Sequence, residues 1–374
     1  MDLPQFPLTG IYVDRPRPEC YPVFDQMLAL CEDCGHAQLS NVIDPEYLYV
    51  QTYSHRSSRS AIARQGNDFF YSFLKGFLAR RTFHTVAEIG CNDLYLLKKI
   101  QTKAKRLVGI DPIWKDRPLK EGKIRVLGKF ADEVDLKNEM GDRPDLVISA
   151  HTFEHMADPR KVLEAWVKYA SDRALFVIEV PAFETLLAAS RFDQVFHQHL
   201  QYFSVASFCR LIEAVGGRYV AHTFNHQYWN GTLLIAFEKG KSGSGGVFPP
   251  NSPVPSAAQV RHRHDLFKQR MEQTVDFVQN VGGPLYGYGG AQMVPTLAYH
   301  LKSDLGFLEC ILDDDPGRDG LCYPALAVKI RKPWPGILWG SANILITALD
   351  SARPIMRRLL GLGPKSVFLP AGVW

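Results

Sequence analysis

The chain has no apolar run approaching the ~18 residues that a membrane-crossing helix needs. Its start, Met1-Asp2-Leu3-Pro4, sets no basic region before an apolar stretch, so no export signal is expected. Charge of one sign is scarce: 43 Lys and Arg against 39 Asp and Glu leave a formal net charge of +4. The basic residues are dispersed, whereas a nucleic-acid footprint would gather them on one face. Cysteine is sparse as well. The seven (Cys20, Cys31, Cys34, Cys91, Cys209, Cys310 and Cys322) are odd in number and mostly scattered. Without an export signal this points to reduced thiols in a cytoplasm, not to a disulfide framework. What is present is ordinary: 374 residues, 46% of them hydrophobic, enough for two or three domains with their own cores.

Residues 1–60 are short apolar pieces around Cys31-x-x-Cys34-Gly35. A helix is expected over about 61–80. Strand signals follow at 84–89, 106–110, 124–127, 145–149, 174–179, 217–223 and 232–237, alternating with helical patterns up to about residue 240. Such alternation predicts an α/β fold with a doubly wound, mostly parallel sheet. Residues 239–255 have linker composition, and an amphipathic helix is expected near 257–280. A second α/β unit then opens with a strand turning through Gly287, Gly289 and Gly290, and a strand ending in Asp313-Asp314-Asp315-Pro316. The pattern is Rossmann-like, although the spacing is not Gly-x-Gly-x-x-Gly. It reads equally as a nucleotide site or as a tight strand-to-helix turn. The division expected is 1–60, 61–240 and 241–374.

Glycine is scarce where a dinucleotide fold would require it. The first strand-to-helix turn, Glu88-Ile89-Gly90-Cys91-Asn92-Asp93-Leu94, has one glycine, and Asp93 would repel a diphosphate. The second strand ends on Asp111, one β-α-β unit beyond Glu88. Both acids therefore fall at the carboxyl ends of adjacent parallel strands, where open α/β sheets bind ligands. An acid there can hold ribose hydroxyls. S-adenosylmethionine carries no phosphate, and acids suit its positive charge. Glu88, Gly90, Asn92, Asp111 and His151 are the candidate cofactor residues. The bland alternative is a solvent-capped turn with no ligand.

Histidine supplies the candidate chemistry. His151 and His155 follow the fourth strand and would share a helix face if that segment were helical. His-x-x-x-His suits zinc in metalloproteases, but Thr152 stands where their glutamate is needed. Further on, Phe196-His197-Gln198-His199-Leu200-Gln201-Tyr202-Phe203-Ser204 places two histidines two apart among aromatics. If extended, both point to one side. Imidazole is matched to proton transfer near neutral pH, so a base that prepares a carbanion or alkoxide for methylation is one reading, and a packed aromatic loop the other. Cys31 and Cys34 resemble half a zinc knuckle, with Cys20 and His36 in the same region. A full four-ligand set is not written there.

Taken in order, these motifs resemble the three-domain sugar C-methyltransferases acting on nucleotide-linked deoxysugars. The resemblance runs from Pro7-Leu8-Thr9-Gly10, Cys31-x-x-Cys34-Gly35 and Tyr53-Ser54-His55 through Glu88-Ile89-Gly90, the His197/His199 segment and Gly287-Tyr288-Gly289-Gly290-Ala291. It implies a class I methyltransferase domain between a small cysteine-containing domain and a C-terminal Rossmann-like domain. It implies S-adenosylmethionine as cofactor and a nucleoside-diphosphate 4-keto sugar as substrate, in a cytoplasmic monomer or homodimer without nucleic-acid or membrane partners. It also implies His199 as base, with His155, Tyr53 and Gln198 supporting it. His197, Tyr202, Asn230, Gly287 and Gly289 would contact substrate, and Cys20, Cys31 and Cys34 are the candidate zinc ligands. Phe196 and Gln198 depart from that family's tyrosine and glutamate, Leu94 from its last glycine, and its first Cys-x-x-Cys is absent. Alternatives are O- or N-methyl transfer to another metabolite, a nucleotide-sugar oxidoreductase using the C-terminal glycine turn, and a non-catalytic binding protein.

Overall fold

The computed structural model describes residues 1–17, 19, 21–44, 48, 57–58, 61–79, 81–117, 119–227, 231–240 and 252–370. Cys20, Tyr53, Asn230 and most of the expected linker lie outside the described residues.

Strands β1 (Asp2–Pro7), β2 (Val23–Leu30) and β3 (Ala37–Leu39) form an antiparallel sheet. Its inward side chains, among them Leu3, Phe6, Leu28 and Leu39, share one core with the C-terminal domain. The edge of this sheet is completed by residues 201–202, just after the histidine segment.

The middle of the chain begins with α1 (Ala61–Leu78) and β4 (Phe83–Ile89), followed by α2 (Tyr95–Ile100), β5 (Ala104–Ile110), β6 (Lys120–Glu121), β7 (Ile124–Leu127), α3 (Leu136–Glu139), β8 (Leu146–Ala150), α4 (Pro159–Tyr169), β9 (Leu175–Pro181), α5 (Phe183–Ala189), β10 (Gln201–Tyr202), α6 (Val205–Ala214), β11 (Gly217–Asn225) and β12 (Thr232–Lys239). The sheet order is β11-β12-β9-β8-β4-β5-β7-β6. Strands β4, β5, β7, β8 and β9 are parallel, while β12, β11 and β6 run antiparallel to their neighbours.

Alternation along the strands sends side chains to two faces. Phe176, Ile178 and Val180 join a core with α4 and α6, whereas Leu175 and Val177 join one with α1 and α2. Helix α4 starts where Asp158 accepts the Lys161 N–H at 2.9 Å and Pro159 presets the first turn. The chain builds outward from β4 through β5 and β7, then returns to β8 and β9 on the other side. Strand order therefore reverses at β4, and a crevice opens beyond the carboxyl ends there.

The C-terminal unit comprises α7 (Ala257–Asn280), β13 (Leu285–Tyr288), α8 (Val294–His300), β14 (Ile311–Leu312), β15 (Ile330–Arg331), β16 (Asn343–Ile346), α9 (Ala352–Leu362) and β17 (Ser366–Phe368). Its sheet, ordered β15-β14-β13-β16-β17, is parallel throughout. It docks on the middle domain through Arg191, which is fully buried. The guanidinium makes two 2.7 Å bonds to Asp193 and one of 2.9 Å to Asp350 beside α9. Removing one partner of such a pair costs about 3–5 kcal/mol, because the other charge is left buried. No helix among the described residues is long and apolar enough to cross a membrane.

Neutral imidazoles line the junction of the three parts. The His300 ring lies edge-on to Phe267 at 4.8 Å and 6.1 Å from Phe6, and His264 lies 5.0 Å from Phe192. Burial pushes His300 down to about 3, with His264 adding to it. Burial followed by the Lys268 charge pushes His264 down to about 4. These groups bind protons more readily unfolded than folded. Their contribution is complete above the ordinary value near 6.5 and is lost as pH falls toward 3. Urea unfolding midpoints should therefore drop steadily from pH 7 to pH 4, and His300→Phe should flatten that slope.

Candidate active site

The crevice beyond β4 continues as a cavity of about 560 Å³ running toward the C-terminal domain, a size ordinary for small-molecule sites. Glu88, Gly90, Asn92, Asp111 and His151 all line it, as do His155, His199, Gln198 and Tyr202.

At the cofactor end the backbone departs from regular structure three times. Gly90, Asn92 and Leu94 have φ of +78°, +42° and +69°. The Gly90 and Cys91 N–H groups donate to the Ile110 carbonyl at 2.8 and 3.2 Å, tying the turn to β5. Leu94 holds the left-handed conformation that a glycine would take most easily, and its side chain is buried. A left-handed L-residue costs about 1–2 kcal/mol, and burying a leucine returns about as much or more. The departure from glycine is thus accommodated, not disruptive.

Asp111 is built into this turn. Its Oδ2 accepts from Asn92 N at 2.8 Å and its Oδ1 from Ile113 N at 3.0 Å. Burial, with Asp111 and Asp93 nearby, pushes the Glu88 carboxyl well above its ordinary value. Its Oε2 is buried with no partner among the described residues. A buried carboxyl with one oxygen unpaired, in an acid-lined crevice, fits the ribose hydroxyls and the cationic methionine end of S-adenosylmethionine. The loop after β7, residues 129–133, also lines this end. It was not singled out from sequence, although the strand-end rule that found Asp111 applies to it equally.

The second glycine turn is closely packed and does not line this cavity. A Cβ on Gly289 would lie 2.2 Å from the Ala348 Cβ, and one on Gly287 3.0 Å from Ile311. Gly290 N donates to Asp313 at 2.6 Å, while Arg318 and Tyr12 donate to the Gly290 carbonyl at 3.0 and 3.1 Å. Gly287 and Gly289 therefore allow close packing and do not face the cavity. The C-terminal domain reaches it instead through Gln292, Met293 and Asp350.

The histidine end also differs from the simple spacing argument. His151 has φ +53°, and Phe153–His155 is a single 3-10 turn, so His151 and His155 share no α-helical face. His151 Nδ1 lies 3.1 Å from Glu154 and its Nε2 3.8 Å from Glu179. Burial alone would lower this imidazole, but the two carboxylates outweigh it and raise it. His155 Nδ1 donates to the Gln198 carbonyl at 2.6 Å, which leaves Nε2 as its acceptor.

The chain turns at His197 and Gln198 instead of extending, and this separates the two histidines. His199 packs against Phe196 at 4.1 Å and edge-on to His155 at 4.9 Å, at the cavity wall. His197 goes the other way, with Nε2 donating to Phe6 O at 3.0 Å and Nδ1 accepting from Gln26 at 3.3 Å. It anchors the N-terminal sheet and is not a cavity residue. Tyr202 fixes the loop by accepting from Phe196 N at 3.2 Å. Burial, then the His155 and His151 charges, hold His199 well below its usual range, so it is neutral with a free lone pair near pH 7.

Cys31 and Cys34 sit in a knuckle on the N-terminal domain, and among the described residues no third metal-ligating side chain joins them. His36 pairs with Gln201 at 2.8 Å instead.

A family model described as Methyltransferase domain matches residues 61–222. The chain is similar to the C-methyltransferase NovU of Streptomyces niveus, at 26% identity over 208 residues covering 54% of this chain. It spans about half (49%) of the length of that curated relative. Similar solved structures include the N-methyltransferase NodS from Bradyrhizobium japonicum WM9 with S-adenosyl-L-homocysteine, at 16% identity and TM-score 0.36, covering 49% of this chain and 90% of that one. Another is the Burkholderia thailandensis 1,6-didemethyltoxoflavin-N1-methyltransferase, at 14% identity and TM-score 0.36, covering 49% and 80%. With the matched segment spanning the acid-lined crevice and the histidine pair, residues 61–222 are an S-adenosylmethionine-dependent methyltransferase domain.

Proposed function

We propose that the chain transfers a methyl group to a carbon next to the ketone of a nucleotide-linked 4-keto deoxysugar. The observation carrying this reading is the His155–His199 pair, rings 4.9 Å apart, in the same cavity as the cofactor acids. When bound, S-adenosylmethionine supplies an electrophilic methyl carbon. His199 removes the proton from the carbon beside the ketone. His155, held by the Gln198 carbonyl, orients the acceptor or polarises its ketone. Positioning and electrostatic stabilisation of the enolate carry most of the acceleration. Tyr53 and Asn230 keep their supporting roles in this reading.

A second reading has its own observation. Among the described residues lining the cavity the lysines are Lys129 and Lys161, and Lys129 is already held by Glu139 at 2.8 Å. The C-terminal wall offers Gln292, Met293 and Asp350, a poor setting for a diphosphate. This favours O- or N-methylation of an acceptor without phosphate. Incubation with methyl-¹³C cofactor and a nucleoside-diphosphate 4-keto-6-deoxy sugar separates the two. A methyl carbon signal bonded to carbon is expected, and an O–CH₃ or N–CH₃ signal would overturn the first reading.

A further inference from the structure

Residue 198, adjacent to the proposed base, is an uncharged glutamine, yet a carboxylate stands close by from a different element. Glu154, in the 3-10 turn after β8, is fully buried. Its Oε1 lies 3.1 Å from His151 Nδ1 and 4.0 Å from His155 Nε2. Its Oε2 is buried and has no partner among the described residues. One nitrogen or oxygen each from Glu154, His155 and His199 lie within 4.8 Å of one another. Behind them Glu179 holds His151 from the far side, and the Thr232 hydroxyl donates to Glu179 at 2.5 Å.

We propose that Glu154 is the positioning residue of the base: its carboxylate holds His151 beside the His155–His199 pair and stabilises the imidazolium that forms when His199 takes the acceptor's proton. This rests on the reading of His199 as base. The need is electrostatic. His199 is buried beside two further imidazoles, and an imidazolium created there without a counter-charge would cost several kcal/mol. In the transfer, the acceptor C–H bond breaks and its proton goes to His199. The freed electron pair forms the new C–CH₃ bond. The S–CH₃ bond breaks with its pair retained by sulfur. Positive charge thus leaves the sulfonium as it appears on imidazole, moving toward Glu154.

A divalent cation is the other occupant such a cluster suggests. Zinc ligands sit about 2.0–2.3 Å from the ion, hence about 3.3–3.8 Å from one another. Here the Glu154–His155 pair is at 4.0 Å and Oε1 is already engaged by His151. An added ion would also share this cavity with a cationic cofactor. The arrangement favours a proton.

The test compares Glu154→Gln, Glu154→Asp and His199→Asn with the wild type, using a nucleoside-diphosphate 4-keto-6-deoxy sugar. Solvent deuterium exchange beside the ketone is followed in the presence of S-adenosylhomocysteine, together with methyl transfer. Glu154→Gln should slow exchange and kcat by about 100-fold, within the range for impaired general-base catalysis, with KM and cofactor affinity within threefold. Glu154→Asp should recover part of the rate. The titratable groups around the base are His151, Glu154 and His155 after β8, with Glu179 on β9 behind His151; Asp158 and Asp350 line the same cavity. Removing the Glu154 charge weakens the base, so the acid limb of the pH–rate profile should move to lower pH with a lower plateau.

An unchanged rate and profile in Glu154→Gln, with His199→Asn inactive, overturns this proposal alone. Loss of cofactor binding in both Glu154 variants assigns a structural role and overturns it too. Activity abolished by a chelator and restored by zinc makes the cluster a metal site instead. Full activity in His199→Asn, or a wild type that neither exchanges nor methylates this sugar, overturns the reading beneath it.

Discussion

Replacing His199 with asparagine should leave S-adenosylmethionine binding intact while turnover falls by roughly two to four orders of magnitude, the usual loss for a missing general base. The separation is expected because the acids and His199 occupy different parts of the cavity. Glu88, Gly90 and Asp111 are set by β4 and β5, whereas His199 comes from the loop before β10. Asparagine keeps polarity and hydrogen-bonding capacity but has no lone pair of useful basicity. The imidazole it replaces is kept neutral by burial and by two neighbouring histidines, so the wild type has its acceptor lone pair available across physiological pH. Calorimetry measures the retained affinity and single-turnover kinetics the lost chemistry. Unaltered turnover would remove His199 from the reaction.

The parallel strands were legible because each is a short apolar run bounded by polar turns. The signals at 84–89, 106–110 and 124–127 correspond to Phe83–Ile89, Ala104–Ile110 and Ile124–Leu127. Central strands buried on both faces have little freedom in composition. The N-terminal sheet was not legible, because β1 to β3 complete their pairing with β10 and their core with a domain far along the chain. Local pattern carries no trace of either.

The site divides in the same way. Glu88, Gly90 and Asp111 follow from strand ends and chain direction alone. His197 and His199 were grouped by a rule that assumes extended backbone, and one turn at His197–Gln198 sends them to opposite tasks. Glu154 leaves no signal of its own in sequence, because a lone acid beside a histidine satisfies no spacing rule. The left-handed backbone at His151 and the 3-10 turn after it place that carboxylate near three imidazoles. Gly287 and Gly289 are explained by packing alone, which in sequence looks the same as a glycine-rich turn made for a ligand.

Gly90 shows that a glycine can also be indispensable, and Gly90→Ala should be strongly damaging for a one-methyl change. Two costs coincide there. With φ at +78°, any side chain incurs about 1–2 kcal/mol of left-handed strain. The added Cβ would also stand 1.9 Å from Thr152 Oγ1 and 2.9 Å from its Cβ. Thr152 has little room to yield, since its hydroxyl is within 3.3 Å of both the Ile89 and Ala150 carbonyls and helps join β4 to β8. Overpacking of this kind adds about 1–3 kcal/mol. A loss of about 2–5 kcal/mol in unfolding free energy is therefore expected, from strain and overpacking together. The turn should move, which displaces the Gly90 and Cys91 N–H groups from Ile110 and with them the acids they align. Cofactor affinity should fall at least 100-fold. Gly76→Ala is the control: a Cβ there meets nothing within 4 Å inside α1, so the same methyl should stabilise by about 0.5–1 kcal/mol. Adding Thr152→Ala to Gly90→Ala relieves the closest contact but not the backbone strain, and should restore only part of both losses. Urea unfolding and titration with S-adenosylmethionine measure the two quantities. Wild-type affinity in Gly90→Ala would mean that the cofactor does not sit over this turn.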